Sequence, residues 1–353
     1  MKRNLMHVAL AALVLTALAS PGIAQGDGDV HILHVRGPIY MLVGAGGNIT
    51  VSVGPDGVLM VDTGLANMTD KVLAAVRQLQ RELATNGLTD LHWGSETRSA
   101  VRTISDTNAP VKPIRYIINT HVHPDHIGGN EKIAKSGKTL TGGNVAGQLA
   151  DAADGAAIIA QQAVLDRMSA KPAANQPAIP FDALPTDTYH ADMKLSHFFN
   201  GEGIQILHEP AAHTDGDSLV YFRGSDVIST GDIFVTTSYP LIDLQRGGSI
   251  NGEIDALNRI LDLSIAEFRS EGGTMVIPGH GRLGDSADVA YYRDMVTVIR
   301  DRIQDMMKRD MTLEQVKAAK PTLDYDPRYG STTGFWTTDM FIEAVYRSLS
   351  QRK

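Results

Sequence analysis

The chain has 353 residues, of which 20 % are charged and 43 % hydrophobic, a composition typical of a globular protein with one large domain or two small ones. The 40 acidic and 32 basic residues give a net charge of −8, and without a basic run this argues against nucleic acid as a partner. Cysteine is absent, which excludes disulfides, thiolate nucleophiles and thiolate metal ligands, so any metal must be bound through nitrogen and oxygen.

The first 24 residues have the pattern of a secretory signal peptide. Residues 1–4 are basic, residues 5–19 are almost entirely apolar, and residues 21–25 offer small side chains for cleavage after Ala24. A membrane span needs about 20 apolar residues, so a retained N-terminal anchor is the weaker alternative. We therefore expect a mature protein that is periplasmic or secreted and not bound to a membrane.

Short β-rich runs separated by turns open the mature chain, at residues 30–35, 39–43, 48–53 and 58–61. A helix is predicted from Val72 to Leu83, because its apolar residues recur at helical spacing. Residues 85–110 are polar and predict a surface insertion.

An apolar strand at residues 114–119 leads into a cluster of metal-binding side chains, His121, His123, Asp125 and His126. Residues two apart in an extended segment point the same way, so the first two histidines can approach one cation. The intervening proline is expected to keep the segment out of a helix, which leaves Asp125 and His126 free to face a second cation.

Residues 143–170 are rich in alanine and predict a helix with a break at Gly155, whereas residues 171–185 contain four prolines and predict irregular structure. We interpret segment 143–190 as a cap or wall beside the site.

A second β block and a helical tail complete the pattern, which indicates an α+β fold with two packed sheets and helices outside. Strands are predicted at residues 194–199, 204–208, 218–222, 227–229 and 274–277, and helices at residues 254–263, 289–307 and 340–349.

Three further ligand-type residues, His213, Asp232 and His280, each follow a β run and a turn. A sheet scaffold gathers ligands at one edge in this way. The order HxHxDH, then His, Asp and His, resembles the metallo-β-lactamase superfamily over roughly residues 28–283. The resemblance implies a four-layer αββα metallo-β-lactamase sandwich at residues 25–283, with a C-terminal helical extension at residues 284–353 packed on the same domain.

The resemblance also implies two zinc ions per chain at one edge between the sheets. Asp62, at the end of an early strand, matches a family position beside the metal ligands. The implied ligands are His121, His123 and His213 for the first zinc, Asp125, His126 and His280 for the second, and Asp232 bridging both.

Departures from the family pattern indicate which branch of the superfamily the chain resembles. The well-known dinuclear β-lactamases use a cysteine ligand that this chain lacks, and a bridging aspartate is typical of the glyoxalase II-like and lactonase-like branches. The flavodiiron branch has glutamate at the position of His123 and is disfavoured.

The activity implied is that of an exported dinuclear zinc hydrolase acting on a small molecule. Two zinc ions about 3.5–4 Å apart lower the pKa of bound water to about 7, giving a hydroxide that attacks the carbonyl of a cyclic amide or ester, a β-lactam or lactone. Asp125 is the catalytic candidate, orienting the hydroxide or relaying a proton. Ser249 and Asn251 are candidates to line the substrate pocket, with a loop and helix N-cap as the alternative.

Two other functions remain open from the sequence. One is an iron-dependent persulfide dioxygenase, since a related branch uses similar His and Asp residues around one iron. The other is a metal-binding protein without turnover.

Overall fold

The computed structural model of the chain describes residues 28–86, 112–139, 153–172, 177–195, 197–264 and 272–351. The predicted signal peptide at residues 1–24 lies outside these residues, as do residues 87–110 of the predicted insertion and residues 143–152 of the predicted wall.

The secondary structure of the described residues alternates β blocks with helices. The strands are β1 (His31–Arg36), β2 (Ile39–Val43), β3 (Ile49–Gly54), β4 (Gly57–Val61), β5 (Ile114–Ile118), β6 (Lys138–Thr139), β7 (Ala153–Asp154), β8 (Ala157–Gln161), β9 (Asp187–Tyr189), β10 (Met193–Lys194), β11 (Ile204–Glu209), β12 (Asp217–Phe222), β13 (Val227–Ser229), β14 (Met275–Ile277) and β15 (Gly284–Asp285). The helices are α1 (Thr69–Asn86), α2 (Pro124–Ile127), α3 (Asn130–Lys135), α4 (Gln162–Met168), α5 (Ile250–Leu263), α6 (Ser286–Lys308), α7 (Leu313–Ala319), α8 (Asp326–Tyr329) and α9 (Thr338–Ser350).

Two mixed sheets carry the fold. The first has the strand order β1-β2-β3-β4-β5-β8-β9, antiparallel up to β4 and parallel from β4 to β9. The second has the order β10-β11-β12-β13-β14-β15, in which only the β13–β14 pair is parallel. Strands β6 and β7 form a separate small pair.

The sheets pack face to face because alternate residues of a strand point to opposite faces. In β4, Leu59 and Val61 point into the core between the sheets, whereas Val58 and Met60 point outward. The second sheet supplies the facing half of that inner core with Ile206, Val220, Phe222, Val227 and Ile277, among others.

Helices cover both outer faces and complete the predicted α+β sandwich of four layers. On the first sheet, Val72, Val76 and Leu79 of α1 are buried against the outward side chains. On the second sheet, α5 packs together with α6 and α9 of the C-terminal extension in one apolar cluster. None of the helices in the described part of the chain is both long and apolar enough to span a bilayer.

The prediction of a helix over residues 143–170 is confirmed at residues 162–168 and wrong at residues 157–161. Residues 157–161 form β8, which is buried between two parallel strands of the first sheet, and only the seven residues of α4 are helical. A central parallel strand is buried on both faces, so its sequence is continuously apolar and lacks the alternation that marks a half-buried strand.

Two smaller predictions also need correction. The strand expected over residues 194–199 is reduced to Met193–Lys194. The proline between His123 and Asp125 begins the one-turn helix α2 instead of preventing a helix, because proline is well suited to a first helical turn, where its missing N–H leaves no bond unmade.

Candidate metal centre

All seven predicted ligands lie just beyond strand ends at one edge of the sandwich. The edge draws on both sheets, since each contains parallel strands whose carboxyl ends point the same way. The ligands are His121, His123, Asp125 and His126 after β5 of the first sheet, and His213 after β11, Asp232 after β13 and His280 after β14 of the second sheet.

The seven side chains form two groups, within each of which the potential ligand atoms lie within 4.8 Å of one another. In the first donor group, His213 Nε2 lies 2.9 Å from His123 Nδ1. In the second donor group, His280 Nε2 lies 3.2 Å from Asp125 Oδ2, and His126 Nε2 lies 3.8 Å from the same oxygen. The first donor group is His121, His123, His213 and Asp232, and the second is Asp125, His126 and His280.

Asp232 lies between the two groups and turns one carboxylate oxygen to each. Its Oδ2 is 3.9 Å from His121 Nε2 and 3.8 Å from His213 Nε2. Its Oδ1 is 3.2 Å from His126 Nε2 and 3.4 Å from His280 Nε2. This is the arrangement expected of a carboxylate that bridges two cations.

The donor set suits zinc in chemistry and spacing. Ligands about 2.0–2.1 Å from a tetrahedral zinc lie about 3.3 Å from one another, close to the separations within the two groups. Three buried atoms that face the groups, His121 Nε2, His126 Nε2 and Asp232 Oδ1, have no hydrogen-bond partner among the described residues. Buried polar atoms are rarely left unpaired, so this cluster of three points to a bound cation.

The protonation of the histidines differs between the groups. Burial lowers the pKa of His213 to about 4 and, together with nearby His126, lowers the pKa of His121 well below its usual value. In the second group burial also lowers the pKa of His280 and His126, but Asp232 and Asp125 outweigh it, raising that of His280 to about 9 and that of His126 well above its usual value. His121 and His213 are therefore neutral and able to bind a cation at neutral pH, whereas His126 and His280 must first lose protons.

Asp62, at the end of β4, is connected by hydrogen bonds to two of the candidate ligand histidines. Its Oδ2 accepts a hydrogen bond from His126 Nδ1 at 2.7 Å, which leaves Nε2 of that ring directed at the metal groups. Oδ1 of Asp62 accepts from the Thr120 backbone N–H at 2.8 Å, and Oδ2 also accepts from the Thr120 hydroxyl at 2.7 Å. That hydroxyl lies 3.0 Å from His121 Nδ1. Both orientations thus depend on one carboxylate.

Two glycines allow the backbone to approach the ligands closely. A Cβ on Gly47 would lie 2.5 Å from the ring of His126, and a Cβ on Gly279 would lie 2.0 Å from Asp232 Oδ1. Side chains at these positions would displace His126 and Asp232, so both positions require glycine.

A family model of the metallo-β-lactamase superfamily matches residues 42–280, which contain all seven ligands. The chain is a member of the metallo-β-lactamase superfamily. The predicted family and fold are thereby confirmed.

The chain also resembles alkylsulfatases. The chain is 23 % identical over 304 residues to a linear primary-alkylsulfatase of Pseudomonas sp., a match that covers 77 % of this chain and 50 % of that protein. A stereoselective inverting sec-alkylsulfatase structure from Pseudomonas sp. matches with a TM-score of 0.58 and 15 % identity, covering 90 % of this chain and 50 % of that one. The chain thus spans half the length of these alkylsulfatases.

A metallo-β-lactamase from Pontibacter korlensis matches with a TM-score of 0.48 and 14 % identity, covering 76 % of this chain and 99 % of that one.

Three hydrogen-bond partners of the candidate ligand histidines were not predicted from the sequence. His123 Nε2 lies 3.0 Å from Asp243 Oδ2, and His213 Nδ1 bonds to the backbone oxygen of Leu241. Thr120, next to His121, could have been inferred from its position in the chain. The other two are separated from their histidines by 120 and 28 residues, and no local pattern marks them.

The described part of segment 143–190 packs beside the edge of the sandwich that carries the candidate ligands. Ile179 and Leu184 contact the same small apolar cluster as Val122, which lies between the first two ligand histidines. Arg167 of α4 forms a bidentate ion pair with Asp215, two residues after His213, with an Nε–Oδ1 distance of 3.0 Å. The role of segment 143–190 as a cap or wall stays a prediction.

Ser249 and Asn251 both have structural hydrogen-bond partners, and their predicted role in the pocket stays a prediction. The Ser249 hydroxyl accepts from Gly252 N at the start of α5 and donates to the Ala211 carbonyl oxygen. The Asn251 side chain is exposed and accepts from Arg300 of α6. These contacts favour the helix N-cap alternative and give no support to substrate binding.

Proposed function

We propose that this protein is an exported dinuclear zinc hydrolase that cleaves an ester or amide bond in a small molecule. The observation that carries the proposal is Asp232, which directs one oxygen to each of two donor groups. Its Oδ1 is buried and has no hydrogen-bond partner among the described residues. Export rests on the basic, apolar and small-residue pattern of residues 1–24.

The first donor group would hold one zinc, the second donor group the other, and Asp232 both. When bound, the two ions supply a hydroxide at neutral pH and positive charge that stabilises the developing negative charge.

Asp125 is the residue proposed to handle the proton. Burial alone would raise its pKa, but nearby His126 and a hydrogen bond from His280 lower it to about 2. The carboxylate is therefore ionised at neutral pH and can accept a hydrogen bond that orients the attacking oxygen.

A β-lactam or lactone is the proposed substrate, as the carbonyl compound most consistent with the ligand set. Histidine at position 123, aspartate at position 232 and the absence of cysteine resemble the lactonase-like branch. An exported enzyme would meet such compounds outside the cytoplasm.

An alkyl sulfate is the second candidate substrate. It is favoured by the match to the linear primary-alkylsulfatase, which extends over 77 % of this chain.

The geometry disfavours one of the two non-hydrolytic functions. One iron, as in a persulfide dioxygenase, would occupy a single group and leave the buried, unpartnered His126 Nε2 or His121 Nε2 without a cation. A metal-binding protein without turnover would use the same ligands, Asp125 included, and the hydrolysis screen distinguishes it from an enzyme.

A hydrolysis screen tests the proposal. Purified protein spanning residues 25–353 is assayed for metal and then incubated with a chromogenic cephalosporin, a homoserine lactone and a medium-chain alkyl sulfate. We expect two zinc ions per chain and turnover of one of these classes.

The matched variant is Asp232→Ala, which removes the shared carboxylate. We expect it to weaken binding of the second zinc and to reduce hydrolysis together. A single iron with oxygen consumption, or unchanged zinc content and rate in this variant, would refute the proposed centre.

A further inference from the structure

Four of the five candidate ligand histidines are fixed by a hydrogen bond to the ring nitrogen that faces away from the metal groups. Such bonds set the tautomer and the orientation of a ligand ring. The pairs are His121 with Thr120, His123 with Asp243, His126 with Asp62, and His213 with the Leu241 carbonyl oxygen.

His280 is held differently. Among the described residues, no hydrogen bond holds its Nδ1, and its Nε2 lies 3.2 Å from Asp125 Oδ2 and 3.4 Å from Asp232 Oδ1. Its side chain is also 28 % exposed, against 15 % or less for the other four. The position of this ring therefore depends on the backbone that carries it.

Asn48 binds that backbone on both sides of His280. Its side-chain amide donates to the Pro278 carbonyl oxygen at 2.9 Å and to the Gly281 carbonyl oxygen at 3.0 Å, and its backbone N–H donates to the Gly279 carbonyl oxygen at 2.7 Å. Asn48 is only 6 % exposed, so these bonds form in a region largely closed to water, where they are costly to break.

The same stretch of chain touches the other members of the second donor group. Gly47 donates its backbone N–H to the Asp125 carbonyl oxygen at 3.2 Å and lies against the ring of His126. Asp125 and His126 lie in α2, which follows β5 of the first sheet, whereas His280 follows β14 of the second. Residues 47 and 48 therefore connect the two halves of the second donor group.

Contacts within the second sheet fix the His280 turn on one side only. The Gly279 N–H donates to the Gly231 and Phe234 carbonyl oxygens, and Thr236 donates to the carbonyl of His280. These bonds set His280 relative to Asp232. They do not involve Asp125 or His126, so they do not set the distance of His280 from those two residues.

We propose that Asn48 is a positioning residue for the second metal. It sets the separation of His280 from Asp125 and His126 through the backbone of residues 278–281. The inference rests on the proposed dinuclear centre, and it concerns the affinity of one of the two sites.

Zinc titration of the metal-free protein, residues 25–353, tests the inference by resolving two dissociation constants. Asn48→Ala removes both side-chain donors, and we expect the second zinc to bind about 10- to 100-fold more weakly, as for other changes behind metal ligands. The first zinc should change by less than about threefold, since its histidines keep their own partners. Asn48→Asp, of the same size, places a carboxylate against two carbonyl oxygens and should weaken the second site at least as much.

Asn200→Ala is the matched control for loss of stability. Asn200 is also buried and also joins the two sheets, donating its amide to the Ser52 hydroxyl and the Gly57 carbonyl oxygen, both at 3.0 Å. Gly57 begins β4, at the opposite end of the strand from Asp62. We expect this variant to lower the melting temperature without a selective change at the second site.

The outcomes separate the two proposals. Fewer than two zinc ions in the unaltered protein would refute the dinuclear centre. Two zinc ions in the unaltered protein, with Asn48→Ala binding both as tightly or losing both equally, would refute the role of Asn48. Should Asn48→Ala not fold, Asn48→Ser keeps one donor and must still weaken the second zinc more than the first.

Discussion

Asp62 has an uncommon backbone conformation, and its carboxylate accepts several hydrogen bonds. Its φ of 66° lies in the left-handed region, which is uncommon for residues other than glycine and carries a cost in free energy. Its carboxylate accepts three hydrogen bonds, one of them from His126. Strain of this kind persists where neighbouring contacts require it, here to direct two ligand rings at the metal groups.

Asp62→Asn tests that dependence. Asparagine tolerates the left-handed backbone, but its single side-chain oxygen cannot accept all three bonds, so the His126 ring should lose its fixed orientation. We expect zinc affinity to fall about 10- to 100-fold, measured by competition with a chromophoric chelator.

Asp226→Asn is the control for this variant. Asp226 is buried, has a φ of 53°, and accepts from the Thr274 hydroxyl at 2.8 Å away from the predicted ligands. Its substitution should leave zinc affinity unchanged, and an equal loss in both variants would contradict a specific role for Asp62.

Proton release on zinc binding is a second prediction at this scale. At pH 7.5 the raised pKa of His280, about 9, and of His126 keeps these rings protonated without metal, whereas His213, with a pKa of about 4, is neutral. Binding to the second group must expel protons, and its affinity should rise with pH until about pH 9.

Calorimetry in buffers of different ionisation enthalpy measures this release. We expect one to two protons for the second zinc and close to none for the first. Equal release for both ions would contradict the assigned pKa difference.

Strand β8 shows where element prediction from this sequence failed and why. Its five residues are all buried, and its neighbours β5 and β9 are parallel to it and distant in the chain. Strands with alternating or turn-bounded patterns, such as β2 and β13, were predicted at the right residues because the signal is local. The convergence of the seven candidate ligands was predictable for the same reason, as each follows a strand in an identifiable pattern. Asn48 and Asp243 were not, since their partners lie some 230 and 120 residues away.

Ile159→Ala measures how far the fold depends on β8. Ile159 is 4 % exposed in the core between the sheets, so the truncation should leave a cavity and cost about 2–5 kcal/mol of unfolding free energy. Urea denaturation gives the value. Leu33→Ala on the edge strand β1, where the side chain is 43 % exposed, is the control and should cost less than about 1 kcal/mol. A cost at Ile159 no larger than at Leu33 would be inconsistent with a buried central strand.

At the scale of the whole molecule, the C-terminal helices are part of the core that covers the second sheet. Val289, Tyr292 and Val296 of α6 and Phe341 of α9 are fully buried in the same cluster as Ile228 of β13. β13 leads to Asp232, so the layer that supports a shared ligand is completed by residues beyond the family match at residues 42–280.

A protein ending at Asp285 should therefore not fold. It would expose the apolar outer face of the second sheet and of α5 to water, and we expect aggregation or loss of the cooperative thermal transition seen by circular dichroism. The variant beginning at residue 25 and ending at residue 353 is the control. A soluble, cooperatively unfolding protein ending at Asp285 would show that the extension is dispensable.

The division of donors between two sheets has a further consequence. A cation that takes nitrogen or oxygen atoms from both halves is a reversible cross-link, available only once the halves have met. By mass action, free zinc then favours the closed sandwich over every open form of the chain. The metal supply of the surroundings would decide how long the protein survives as well as whether it works.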